Sequence, residues 1–162
     1  MTKIAALLFA ATLSALAQAP STPAKSFALT FEDLNRRLLD MAKDFPEDKY
    51  GYRATKDVRS FGEIVVHVAS GNAYAAKAGR GEKANWDEID PKGYATKAAK
   101  VALLEKTIAD ATATLKATPE DRWAKTAQPW LAVIEHAGEH YGQLVVYYRN
   151  NGMVPPESRP KK

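Results

Sequence analysis

His136 and His140 stand four residues apart in WLAVIEHAGEHYGQLVVYYR, residues 130–149. On a helix, residues four apart share a face, so both imidazoles can converge on one divalent ion without bending the backbone. The third histidine, His67, lies in SFGEIVVHVASGNAYAAKAG, residues 60–79. It falls inside an apolar run, where an unpaired imidazole is costly to bury. Three neutral imidazoles would supply three protein ligands and leave positions open for water or substrate, the pattern of catalytic rather than structural zinc. The alternative for His67 is a core histidine bonded to a backbone carbonyl. Zinc, nickel, iron and manganese all accept imidazole, so ligand type does not choose among them. An ion held this way could activate water, polarise a substrate carbonyl or activate an incoming thiol. Ligating imidazoles must be neutral, so metal is expected to leave as pH falls through ~6.

Few other groups near the histidines have the chemistry of an acid or base. Glu139 precedes His140 and is a candidate base or orienting group, with a solvated glutamate as the alternative. Tyr74, two turns beyond His67, is a candidate hydrogen-bond donor to a water on the ion, although its spacing also suits packing. Glu63, one turn before His67, forms an S-x-x-E capping box with Ser60, which explains it without chemistry. His136 to His140 also satisfies H-x-x-E-H, the inverted zincin motif. That motif requires a further carboxylate ligand far downstream, and a peptidase is not expected. Gly71 and Gly138 are small residues near the histidines. A glycine inside a helix costs ~1 kcal/mol relative to alanine, so a close approach by a neighbour is expected at Gly71.

These residues need helices to position them, and the periodicity supplies four. Thr30 reads as the N-cap of the first, with Glu32 and Asp33 in its first turn. Phe31, Leu34, Leu38, Met41 and Phe45 form its apolar stripe, Pro46 ends it, and Asp33, Asp40 and Asp44 read as a solvated face. Residues 46–59 are a polar connection whose Tyr50 and Tyr52 cover one end of the bundle. The second helix starts at Ser60 and packs through Phe61, Ile64, Val65, Val68, Asn72 and Ala75. Residues 79–94 form the longest connection, and Trp86 within it walls the pocket or packs on the bundle end. Asp87, Glu88 and Asp90 lack the register of a calcium loop. The third helix, about 96–116, carries a seam of Val101, Leu104, Ile108, Ala111 and Leu115. Thr118 to Asp121 open a short helical turn anchored by Trp123. The histidine helix then has Pro129 in its first turn and ends at Asn151-Gly152, with Tyr141, Leu144, Val145 and Tyr148 as packing residues. The reading is all-α: a four-helix bundle of up-down type, with a metal site between the second and fourth helices.

The 162 residues include 46% hydrophobic side chains, enough for one core. A net charge of +4 is spread as mixed charge, and no run of Lys and Arg interleaves with aromatics, so nucleic acid is not an expected partner. Cysteine is absent, which excludes disulfides, thiolate ligands and a cysteine nucleophile. Any thiol chemistry therefore needs a thiol from outside. Residues 1–17 read as a secretory signal, with Lys3 before an apolar run from Ile4 to Leu16 and small residues at Ala15 and Ala17. Cleavage after Ala17 is favoured over Ala19, which Pro20 follows. The apolar run is shorter than the ~20 residues of a membrane span, so no stable membrane insertion is expected once the signal is cut. The segments are then a signal (1–17), a flexible leader (18–27), the bundle (28–159) and a tail (160–162), in a periplasmic or secreted protein.

One histidine on the second helix and a pair on the last, with VRSFGEIVVHVA around the first and EHYGQLVVYYRNNGMVPPESR closing the chain, resemble the DinB-like (DinB/YfiT) superfamily of four-helix bundles. The resemblance runs from about Phe27 to Arg159. It implies that His67, His136 and His140 bind a divalent metal, and that Gln143, in the G-Q after the pair, orients a ligand. It implies a long-crossover bundle topology and a possible homodimer. Characterised relatives include metal-dependent thiol transferases and isomerases, so the expected function is that of a metal-dependent enzyme, hydrolase or transferase, on an unassigned small-molecule substrate. The alternative is a bundle that binds metal or a partner without turnover. Export away from cytosolic thiols disfavours the thiol-transferase form.

Overall fold

The computed structural model describes residues 22–160. Both ends of the chain, with the expected signal at residues 1–17 and most of the expected tail, lie outside the described residues. Four α-helices make up the fold, with three short 3₁₀ turns between or after them. No strand occurs among the described residues.

Helix α1 spans Pro23–Asp44 and starts earlier than its sequence suggests. The expected cap at Thr30 and the flexible leader through residue 27 are both corrected here. Thr22 accepts a hydrogen bond from the Lys25 amide at 3.3 Å, and Pro23 occupies the first turn, where its missing N–H costs nothing. Thr30 instead donates back to the Ser26 carbonyl at 3.0 Å. The two added turns bury Ala24 and Ala28 and set Phe27 edge-on to Trp123, with ring centroids 4.9 Å apart. The helix ends at Phe45, which is extended (ψ 133°) as a residue before proline prefers to be.

Helix α2, Phe61–Gly79, opens with the expected capping box. Helix α3, Lys97–Ala117, is capped by Thr96, whose hydroxyl accepts from the Ala99 amide at 3.1 Å. Helix α4 is a single element, Glu120–Asn150, with Pro129 inside it. The separate turn expected at 118–121 and the start expected at Pro129 are therefore corrected. Thr118 closes α3 and Pro119 stands at the α4 N-cap. The added turns bury both Trp123 and Trp130, and that apolar burial outweighs the preference for breaking a helix at proline. Gly152, at φ +69°, supplies the left-handed residue just beyond the end of α4.

The helices surround the core in the order α1, α3, α2, α4. Helix α1 packs on α3 and α4, α2 packs on the same two, and α1 and α2 barely touch. Consecutive helices α1 and α2 therefore lie across a diagonal, which corrects the simple up-down order read from periodicity. Two apolar clusters fill the interior. One gathers Phe45, Phe61 and Tyr148 with the middle of α2, and Phe45 stacks on Phe61 with centroids 3.9 Å apart. Tyr50 covers this end, buried with its hydroxyl donating to the Ala42 carbonyl. The other cluster gathers Phe31, Trp123 and Trp130 with the alanines of α1 and α2. Between the diagonal helices, Asn72 donates to Asn35 at 2.9 Å, and Asn35 donates to the Phe31 carbonyl at 3.0 Å. Both asparagines are fully buried. Among the described residues, no helix is long and apolar enough to cross a membrane.

Candidate metal centre

The contact between α2 and α4 brings the three histidines together. His67 comes from the middle of α2, His136 and His140 from successive turns of α4, and one nitrogen of each lies within 4.8 Å of the others. The rings meet edge to face, with centroids 4.4 to 4.8 Å apart. Nε2 of His136 is 2.8 Å from Nε2 of His67. Glu63, by contrast, stays with the helix cap. Its carboxylate accepts from the Ser60 amide at 2.7 Å and from Arg53 at 2.6 Å.

The outer nitrogens of two of these rings are fixed by neighbours. Nδ1 of His67 lies 2.7 and 2.8 Å from the two carboxylate oxygens of Glu88, and Nδ1 of His140 lies 2.8 Å from Oε1 of Gln143. A carboxylate and an amide oxygen only accept, so each Nδ1 donates, and in the neutral form of either ring the lone pair is then on Nε2. Gln143 is itself held, donating to the Tyr147 hydroxyl at 3.3 Å, while Tyr147 donates to the Arg59 carbonyl at 2.6 Å. This is the orientation of imidazoles by outer hydrogen bonds found at metal sites.

Burial, followed by the positive charges of protonated His140 and His67 and of Arg59, pushes His136 down to about 3. Burial lowers His140 as well, against the opposing hydrogen bond of Gln143. Both rings are neutral at physiological pH, which keeps their lone pairs available. The donor set therefore fits a divalent ion. Two nitrogens at ~2.0–2.1 Å from one ion lie ~3.0–3.4 Å apart, so His67 and His136 would separate by only a few tenths of an ångström.

Trp86, from the long α2–α3 connection, closes one side. Its ring meets His136 edge to face at 4.7 Å and stacks on Tyr74 at 5.1 Å. Tyr74 thus supports the aromatic wall. Gly71 makes room for this packing. A Cβ there would lie 2.6 Å from Trp86 and 3.2 Å from Nδ1 of His136, so the expected close approach is that of the tryptophan and the ligand ring. Gly138 is different, facing Leu34 on α1 at 3.9 Å. The cleft in front of His67 and His136 is lined by Trp86, Ala132, Glu135 and Glu139. Glu139 is exposed on its rim.

Three of these residues carry no assignment from the sequence: Glu88, Arg59 and Glu135. A ligating histidine usually gives its other N–H to a carboxylate, so an acidic partner for His67 was to be sought. Glu88 lies 21 residues away in a loop, and only the fold brings it near.

An all-helical bundle with a buried-edge cluster of three imidazoles defines the class of this protein. The family model described as the DinB superfamily matches residues 30–144, and the chain belongs to that superfamily. No curated protein matches it in sequence.

Proposed function

We propose that the chain binds one divalent metal ion through His67, His136 and His140, and that it is a metal-dependent enzyme of hydrolase or transferase type acting on a small molecule. The observation that supports this best is the convergence of three imidazoles, two of which have their outer nitrogens held, His67 by Glu88 and His140 by Gln143. When bound, a divalent ion would supply Lewis acidity for a substrate carbonyl or phosphoryl group, or for a thiol or water nucleophile. Zinc, nickel, iron and manganese all suit the donors. The chain's own residues would do the rest. Trp86 shields His136 from solvent, Glu88 and Gln143 hold two rings in one tautomer, and Glu139 and Glu135 stand at the cleft as proton acceptors for an incoming group. We extend the proposal to export, on the strength of the signal features at residues 1–17, and to homodimerisation, on the family resemblance.

A second reading, metal or partner binding without turnover, draws on one feature. Among the described residues, neither Glu139 nor Glu135 hydrogen-bonds an imidazole, so neither carboxylate of the cleft is fixed at the centre as an acid or base. Elemental analysis of protein purified without chelators or a His tag tests the metal, beside a His136→Ala, His140→Ala double variant. One ion per chain, lost in the variant, is expected. No ion in the wild type after reconstitution with several metals would overturn the proposal. Turnover by the metal-loaded protein on esters, amides, phosphoesters and thiol–acceptor pairs, absent in His140→Ala, separates the enzyme from the binding protein.

A further inference from the structure

We infer that Arg59, assisted by Lys56, forms an anion-recognition site beside the histidine cluster, for the carboxylate or phosphate group of a small-molecule substrate. The inference rests on the metal-site reading above and adds to it the chemical class of the substrate. A second cleft adjoins the centre on the side of Gln143, lined also by Arg53, Lys56, Asp57, Val58 and Arg59. Gln143 joins the two, because its other face holds Nδ1 of His140. Three cations face one acid in this cleft.

The three cations are not equivalent. Arg53 is committed to structure, donating to the Val58 carbonyl and to Glu63, each at 2.6 Å. These bonds clamp the loop before α2. Lys56 has no hydrogen bond or ion pair among the described residues. The Arg59 guanidinium makes no hydrogen bond among them, and its ion contact with Glu88 is long, 3.6 Å. Glu88 is the closer partner of His67. A guanidinium offers a planar fork that matches two oxygens of a carboxylate or phosphate, and this fork is available.

Its placement is not accidental to the centre. The Arg59 carbonyl is held by Tyr147, and through Gln143 that bond continues to His140. On the other side, its head group reaches Glu88 and so His67. Arg59 is therefore tied to two of the three imidazoles. With a divalent ion bound, the centre carries +2, and the single negative charge of Glu88 leaves it positive. A guanidinium next to that charge is repelled unless an anion lies between them. The opposite cleft, with Glu135 and Glu139, would repel the same anion. Charge thus directs the anionic end of the substrate toward Arg59 and its reacting end toward the histidines.

The test is a heteronuclear NMR titration of the full chain with sodium acetate and, separately, inorganic phosphate, with acetamide as the neutral control. Wild type, Arg59→Gln and Arg59→Lys are each titrated after metal reconstitution and after chelation, with metal content measured in every sample. Circular dichroism confirms the fold, which the backbone bond to Tyr147 should preserve. Saturable shifts at the Arg59 side chain and at Gln143 are expected, weakened about tenfold or more in Arg59→Gln and less in Arg59→Lys. The preferred anion decides between carboxylate and phosphate. Equal affinity in wild type and Arg59→Gln, or no saturable shift at these residues in either metal state, would overturn the inference. Failure of the metal reading shows separately, as samples that take up no ion, while the chelated titration still reports on Arg59.

Discussion

The carboxylate of Glu88 holds Nδ1 of His67 across 21 residues of sequence, at 2.7 and 2.8 Å. His67 is nearly enclosed, its side chain 12% exposed, whereas Glu88 is half exposed. Little apolar packing depends on Glu88, so its substitution should act on the imidazole more than on the fold. Glu88→Ala is expected to weaken metal affinity about 10- to 100-fold, measured by competition with a chromogenic chelator, with the melting temperature of the chelated protein almost unchanged. Glu88→Gln, which keeps an acceptor, should recover part of the loss. Equal affinity in all three proteins would remove Glu88 from the site.

Gly71 of α2 packs beneath the Trp86 ring. An alanine there meets Trp86 at 2.6 Å and Nδ1 of His136 at 3.2 Å, contacts that require both rings to move. Helix propensity favours alanine by ~1 kcal/mol, and overpacking opposes it by about 1–3 kcal/mol. Gly71→Ala is therefore expected to be neutral to destabilising in chemical denaturation despite the gain in propensity. It should also shift the tryptophan emission and lower metal affinity. A variant more stable by the full propensity gain, with unchanged metal binding, would contradict this packing.

What the sequence made legible was local. The capping box of Ser60 and Glu63 is a pair of bonds between residues three apart, the stop at Pro46 acts on the residue just before it, and both form as expected. The histidine pair is likewise a matter of helical spacing. Its partner His67 could be matched to it through the apolar run around it and the family resemblance. The misread boundaries involve competition between a local signal and a distant one. Thr30 and Thr22 both suit a cap, and Phe27 packing on Trp123 decides for Thr22. Glu88, Arg59 and Tyr147 were invisible as parts of the centre because loops, whose path no periodicity reveals, bring two of them there. The α1–α2 diagonal was equally hidden, since each apolar stripe shows that a helix has a buried face and not which helix covers it.

The C-terminal segment is latched by charge. Arg159 donates to Asp44 at 2.8 and 2.5 Å, and the Tyr148 hydroxyl donates to the same carboxylate at 3.1 Å. The arginine bonds, foremost, hold Asp44 below its ordinary value of 3.8. A carboxyl whose folded pKa is depressed stabilises the fold above the unfolded pKa, and that contribution is lost as pH falls through the folded one. Both side chains are partly exposed, 31% and 42%, so solvent screens the latch and its contribution is small. Arg159→Gln is expected to melt below wild type at pH 7, with the gap closing as pH drops below 3.8. A gap that stays constant down to the acid limit would show that the arginine acts by packing alone.

Pro129 sits inside α4, two turns before His136. Proline cannot donate the bond that the Lys125 carbonyl would receive in an unbroken helix, and its ring crowds that carbonyl. The helix nonetheless continues, because Trp130 and Trp123, on either side of the proline, are both buried in the same cluster. The imperfection is local, and the His140 ring is held by Gln143, beyond it on the same helix. Pro129→Ala is therefore expected to stabilise the protein by about 1–3 kcal/mol, read as a higher denaturation midpoint, with one ion per chain retained at unchanged affinity. A gain in stability accompanied by weaker metal binding would instead assign Pro129 a part in setting the angle at which α4 presents His136 and His140.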